Sequence, residues 1–320
     1  VYAELVSDVL KARVNAKLDK NTILRSGLGS YAKYGPVNPF TDRLSMEQIE
    51  SMRVDSLVKK IHALSNIEHR IFYFGAMSLY KVKGLIAKHH TNTSKLNPIP
   101  KEKKFEELVT SSNKVFYAPY DMQQVEIFFI SKDEVFNPEM LAGIKLFNEY
   151  FGAGLSSIVF QEIREKKALA YSAYSYISTP TAKEKSHYVN AYIGTQADKL
   201  SDATSAMFEL MNDMPEAEMQ FNAAKEAVTK KLESDWTTGS NVYWQYERAK
   251  KLGVNYDLNQ KIYTQVQEME LSDLKIFFDN HVKGNEYSIC VIGNKSNMDF
   301  VALENLGELK EVELDELFGY

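Results

Sequence analysis

The 320-residue chain holds a single cysteine, Cys290, so no disulfide framework can form within it. That residue lies in the apolar run YSICVIG, where a thiol packs as a small inert hydrophobe rather than acting as a nucleophile. No run approaches the ~20 apolar residues of a membrane-spanning helix, and the opening VYAELVSDVLKARVNAKLDK reads as a charged helix rather than a signal peptide. Positive charge in excess is missing too. The net charge of −5 is spread along the chain and leaves no basic patch for nucleic acid. Six histidines are present, His62, His69, His89, His90, His187 and His281, and no two are three or four positions apart. No helix face can therefore offer a histidine pair to a metal, and the adjacent His89-His90 reads as solvated surface. A G-x-S-x-G elbow, a Walker loop and a C-x-x-C are absent as well.

Core-forming residues are plentiful: 44% of the chain is apolar and 12% aromatic, enough for two domains of ordinary size. The amino-terminal part is helical in pattern, with Leu5, Val9, Leu10, Val14 and Leu18 forming a stripe and Gly27-Leu28-Gly29 predicting a turn between helices. Ser45 predicts a capped helix to about Lys60, Arg70–Gly75 (RIFYFG) a short buried strand, and Ser78 the start of another helix. The same order recurs late in the chain, as a helix to about Val282, the strand Tyr287–Gly293 and a helix over 298–306. Aligning Ile49 with Leu274 and Gly75 with Gly293 gives offsets of 225 and 218, the mark of a repeated module. Residues 1–88 then correspond to the tail of a first module, truncated at its front. This fits a chain that does not begin with methionine. Residues 89–112, with two prolines, four lysines and few apolar residues, predict a linker, and 113–320 a complete second module. Strands first, helices next and a closing strand make that module an α+β sandwich, an antiparallel sheet with helices largely on one face.

The most informative stretch is 147–176, FNEYFGAGLSSIVFQEIREKKALAYSAYSY. Leu155, Ile158, Val159 and Ile163 recur at helical spacing after the Gly152-Ala153-Gly154 turn, and from Leu169 the pattern switches to the period of two of a strand. Arg164 closes the helix and Tyr171 opens the strand, seven residues on. A guanidinium beside a phenol is a donor pair that can grip a peptide carbonyl and steady the oxyanion formed on attack. A cation in a last helical turn also suits the helix dipole, and strand tyrosines such as Tyr174 and Tyr176 ordinarily pack.

This run resembles a segment of pitrilysin/insulinase-family zinc metallopeptidases, in which a glycine turn, a Ser-bearing helix, Ile-Arg-Glu and an Ala-Tyr-Ser strand follow one another. Here they are Gly152, Gly154, Ser156, Ile163-Arg164-Glu165 and Ala170-Tyr171-Ser172. The resemblance implies tandem α+β domains around a chamber, with Arg164 and Tyr171 reaching towards peptide substrate held at zinc in another domain. Gly152 and Gly154 either let the turn approach that substrate closely or serve as an unstrained helix-to-helix turn. The inverted H-x-x-E-H zinc motif of the family is missing, so no cofactor is expected in this chain. Zinc is expected upstream in a longer chain or in a separate subunit, and the chain alone is expected to be inactive. Two other roles fit the resemblance: a zinc-free scaffolding subunit of a larger complex, and a peptide-binding module without chemistry.

Overall fold

The structure, a computed structural model, describes residues 1–90, 95–152, 154–235 and 237–320. Its contacts divide the chain into two compact units. One comprises residues 1–13, 44–104 and 237–247, the other residues 14–43, 105–236 and 248–320. This grouping cuts across the boundaries at 88 and 112, because composition marks polar stretches but not which distant segments pack together. Of the expected linker, residues 91–94 lie outside the described residues. Its far end is laid against the larger unit: the Leu108 N–H donates to the Lys33 carbonyl (2.8 Å), and the Glu107 carboxylate accepts the Ser186 N–H (3.0 Å).

The larger unit is built on a six-stranded sheet of β1 (Lys114–Pro119), β2 (Gln124–Val135), β3 (Ser172–Ser178), β4 (Ser186–Gln196), β5 (Ser288–Gly293) and β6 (Glu308–Glu311), in the order β3-β4-β2-β5-β1-β6. The α+β architecture is as expected, and β3, β4, β2 and β5 are antiparallel neighbours. A wholly antiparallel sheet is corrected at the other edge, where β1 runs parallel to both β5 and β6. Those strands return after long connections that contain helices, which is what parallel pairing requires.

On β2, Val125, Ile127 and Phe129 enter one apolar cluster while Phe128 and Ile130 enter another, so both sheet faces are covered. That is why the strand reads as an apolar run rather than an alternation. The first face carries the helices Leu141–Phe147, Leu200–Asn212, Glu218–Ser234, Leu258–Glu268 and Leu271–His281. The second is covered by residues 22–34 and the short helix Leu314–Phe318. The turn expected at Gly27-Leu28-Gly29 is not there: wide helical turns over Thr22–Leu28 run directly into the helix Gly29–Tyr34. Gly27 is instead a packing device, since a Cβ on it would lie 2.7 Å from the Leu317 side chain.

In the smaller unit Ser45 does cap a helix, with a reciprocal bond to Gln48, though that helix spans only Met46–Glu50 before a second, Val54–Ala63. The buried strand expected at Arg70–Gly75 is not formed. The segment has no ladder partner, and Ile71, Phe72 and Phe74 are exposed. The apolar pattern of a strand is present, but among the described residues this unit holds only the isolated bridge between Ile67 and Asn97, and a lone strand does not persist as a sheet.

Candidate functional site

The helix Leu141–Phe147 continues in wider turns through Asn148–Gly152 and ends against β3. β3 is an edge strand, and Asn148 fastens the helix to it. Its amide donates to the Ile177 carbonyl (3.0 Å) and accepts the Ile177 N–H (2.7 Å). Gly152 is buried at the same contact, where a Cβ would lie 1.7 Å from the Ser175 carbonyl oxygen. The close approach that this glycine permits is therefore helix to strand. Ala153 lies outside the described residues. Gly154 is exposed with φ +96°, a conformation that side chains with a Cβ avoid, and open space surrounds it.

Helical geometry resumes at Ile158, and the wide turns Phe160–Lys166 bury Ile163 in the core while leaving Arg164 outside. Backbone bonds then fix the connection. The Leu169 N–H donates to the Ile163 carbonyl (3.0 Å) and the Tyr171 N–H to the Gly194 carbonyl (2.9 Å), while the Thr195 hydroxyl donates to the Leu169 carbonyl (2.6 Å). Ala168 takes a positive φ of 49° within this connection, and its carbonyl accepts the Lys199 ammonium (3.0 Å). Arg164 thus sits one residue from a tied carbonyl, and Tyr171 is itself tied.

Both side chains face solvent. Tyr171 is 54% exposed, and the Arg164 side chain 44%. Arg164 lies over the Phe160 ring (4.7 Å to the centroid) with its Nε 3.7 Å from Glu165. The Tyr171 hydroxyl accepts from the Gln196 amide (2.7 Å), which leaves its own proton free to donate. No hydrogen bond joins Arg164 to Tyr171 among the described residues. Tyr174 and Tyr176 are half-buried on the opposite sheet face, where Tyr174 accepts from Arg25, so they pack as expected. Gln196, Thr195 and Lys199 were not singled out by sequence. Counting the hairpin register back from Ser172 opposite Gly194 would have placed β4's end beside Tyr171.

A model of the peptidase M16 inactive domain matches residues 65–228, just over half of the chain. The chain belongs to the peptidase M16 family. The resemblance to pitrilysin-type zinc metallopeptidases is borne out. An uncharacterized zinc protease of Bacillus subtilis, YmxG, is 36% identical over 73 residues, which span 23% of this chain and only 17% of that protein. Among solved structures, an M16 inactive domain from Pseudomonas fluorescens superposes with a TM-score of 0.63 at 16% identity, over 92% of this chain and 70% of that one. A protease from Helicobacter pylori gives 0.62 at 16% identity over 89% and 71%. The ferredoxin protease FusC, solved with Arabidopsis ferredoxin, gives 0.64 at 12% identity, where this M16 chain covers 92% of itself and 32% of that one. These structural likenesses establish the fold.

The residues present do not fit the zinc of an active M16 domain. Among the described residues no group of three or more His, Cys, Asp or Glu side chains is placed to hold a metal ion. A cavity of about 400 Å³ in the larger unit, lined by Glu139, Phe277 and His281 among others, includes neither Arg164 nor Tyr171. No helix is long and apolar enough to cross a membrane among the described residues.

Proposed function

We propose that this chain is the non-zinc portion of an M16 metallopeptidase, inactive alone, that closes a chamber over peptide substrate while a zinc-bearing module, in the same polypeptide or a separate subunit, supplies the metal. The carrying observation is the pair of exposed donors on a connection whose backbone is fixed at both ends. Tyr171 donates its free hydroxyl proton to the substrate carbonyl oxygen and to the oxyanion that replaces it, with Gln196 holding the phenol in place. Arg164, resting on Phe160, orients that carbonyl by charge. Gly154, exposed and without neighbours, leaves the adjoining surface open to an extended peptide, whereas burial of Gly152 supports a structural role. Protein substrates are consistent with the ferredoxin bound to the FusC relative.

The test reconstitutes the chain with its zinc-bearing module and measures peptide cleavage. Loss of one oxyanion donor costs about a hundredfold in kcat, so Tyr171→Phe is expected to fall by that order with KM little changed. Arg164→Ala is expected to lose kcat as well. Full turnover in both variants would remove the assignment.

A further inference from the structure

Away from the donor pair, the cavity of about 400 Å³ in the larger unit opens between the helices Leu141–Phe147, Leu258–Glu268 and Leu271–His281, and its volume is that of a small-ligand site. Gly143 leaves its floor bare: a Cβ there would meet the Phe277 ring at 2.5 Å, so the ring lies against backbone. Met269 and Ile276 continue this apolar wall, and Ile276 carries it to the surface at 59% exposure. Three carboxylates from three elements, Glu139, Glu268 and Asp273, stand in the same wall. The cations nearby are already engaged. Lys261 pairs with Glu139, His281 with Asp133 (3.0 Å) and Lys275 with Asp279 (3.5 Å), while the Lys225 ammonium donates to the Met269 carbonyl (2.8 Å). Among the described residues neither Glu268 nor Asp273 has an ion-pair partner. Gln265 adds an unmet acceptor. Its amide N–H donates to Glu139 (3.3 Å), which fixes the amide's orientation, and its carbonyl oxygen is buried with no hydrogen-bond partner among the described residues. Such an acceptor is unfavourable until a donor reaches it.

We propose that this cavity receives an arginine side chain from a segment of a partner protein, its guanidinium among Glu268, Asp273 and the Gln265 carbonyl and its methylene stem over Met269, Ile276 and Phe277. The carboxylates are too dispersed to share a metal ion, since among the described residues no group of three or more His, Cys, Asp or Glu is placed to hold one. Dispersed acceptors call for a cation with several donors. A lysine ammonium is a compact point charge, whereas a guanidinium spreads five N–H donors over a plane and lies flat on an aromatic ring. The apolar floor under an acidic rim suits the same side chain, whose stem is hydrocarbon and whose head is charged. The arginine is held here and not processed. Neither Arg164 nor Tyr171 lines the cavity, so the site stands independently of the peptidase role.

The experiment titrates the blocked tripeptide acetyl-Leu-Arg-Leu-amide into the full chain by calorimetry, beside analogues with lysine or citrulline in place of arginine. One equivalent of the arginine peptide is expected to bind saturably, and more weakly as NaCl is added. Citrulline keeps the shape of arginine without its charge, so its peptide should bind about tenfold more weakly, with the lysine peptide in between. Glu268→Gln, which removes one charge at the rim, should weaken arginine binding about threefold. Ile276→Arg, which sets a cation of the chain's own at the mouth, should weaken it about tenfold or more. Glu286→Gln, exposed and outside the cavity, should leave it unchanged. Circular dichroism on each variant confirms that the fold is intact. Absence of saturable binding at millimolar peptide would overturn the site, as would equal affinity for the citrulline peptide or indifference to both Glu268→Gln and Ile276→Arg.

Discussion

Replacing Gly152 by alanine puts one methyl group where the structure has none to spare. The new Cβ would stand 1.7 Å from the Ser175 oxygen and 2.5 Å from its carbonyl carbon, against the ~3.5 Å of an ordinary contact. Helix or strand must therefore retreat by more than 1 Å, and neither is free to do so. β3 is held to β4 by its ladder and by the Ser175 hydroxyl on the Asn190 carbonyl (3.0 Å), and the helix is anchored by Phe147 and Phe151 in the core. Overpacking of this kind costs about 1–3 kcal/mol, and separating the Asn148 side chain from Ile177 forfeits two hydrogen bonds at about 1 kcal/mol each. The sum, about 3–5 kcal/mol, lowers the melting temperature of a unit this size by roughly 10 °C. Thermal unfolding followed by far-ultraviolet circular dichroism measures it. A variant melting within about 2 °C of the parent would show that the helix end does not bear on β3, and would restore Gly152 to a role at the surface.

Gly154→Ala, at an exposed position with nothing nearby to clash, should cost only about 1 kcal/mol through its positive φ, as read by urea unfolding. Tyr171→Phe and Arg164→Ala should leave unfolding free energies within about 0.5 kcal/mol of the parent, because both side chains are exposed. His281 donates to Asp133 (3.0 Å), and that bond raises its pKa above the ordinary imidazole value. Its stabilisation is complete below the unfolded-state pKa of about 6.5 and disappears as pH rises through the folded-state value, so His281→Gln should cost more near pH 5.5 than near pH 8.5 in urea titrations. His187 has the opposite sign: burial lowers its pKa, and its Nε2 accepts the Asn137 N–H (3.3 Å). Stability is therefore expected to fall as pH drops below about 6.5, less steeply in His187→Gln, and equal slopes would contradict the assignment.

Much of the larger unit was legible because its elements carry their own periodicity. The pattern places strands at 114–118, 124–131 and 186–195, which form as Lys114–Pro119, Gln124–Val135 and Ser186–Gln196, and it places the switch from helix to strand after Lys167. Pattern shows which face is apolar without showing what will cover it. YSICVIG and RIFYFG read alike, yet the first is buried between β1 and β2 and the second pairs with no strand and is largely exposed. The Gly-Leu-Gly sequence failed as a turn signal for a related reason. Glycine reports that something comes close, and at Gly27 that something is Leu317, 290 positions away in sequence and invisible to any local window. Arg164 and Tyr171 are the candidates that sequence offers for the proposed site; the bonds that fix their backbone depend on register.

The signature run joins two kinds of constraint that substitution separates. Gly152 and Ile163 are buried and shape the fold, whereas Arg164 and Tyr171 point outward from a connection whose geometry others maintain. A tyrosine kept for packing would have its ring covered and its hydroxyl satisfied within the core, as Tyr150 does with the Pro215 carbonyl (2.6 Å). Tyr171 contributes little to the core, yet its position is defined by the backbone bond to Gly194 and the side-chain bond from Gln196. An exposed side chain whose orientation is maintained at entropic cost fits a group that acts on something outside the chain. Gln196→Ala therefore tests the logic at one remove. It should leave unfolding unchanged, loosen the phenol and lower kcat in the reconstituted peptidase by less than Tyr171→Phe does. It should also add nothing further when combined with Tyr171→Phe, because the amide acts only through the hydroxyl it orients. Additive losses in the double variant would mean that Gln196 contributes by another route, and the positioning argument would fail.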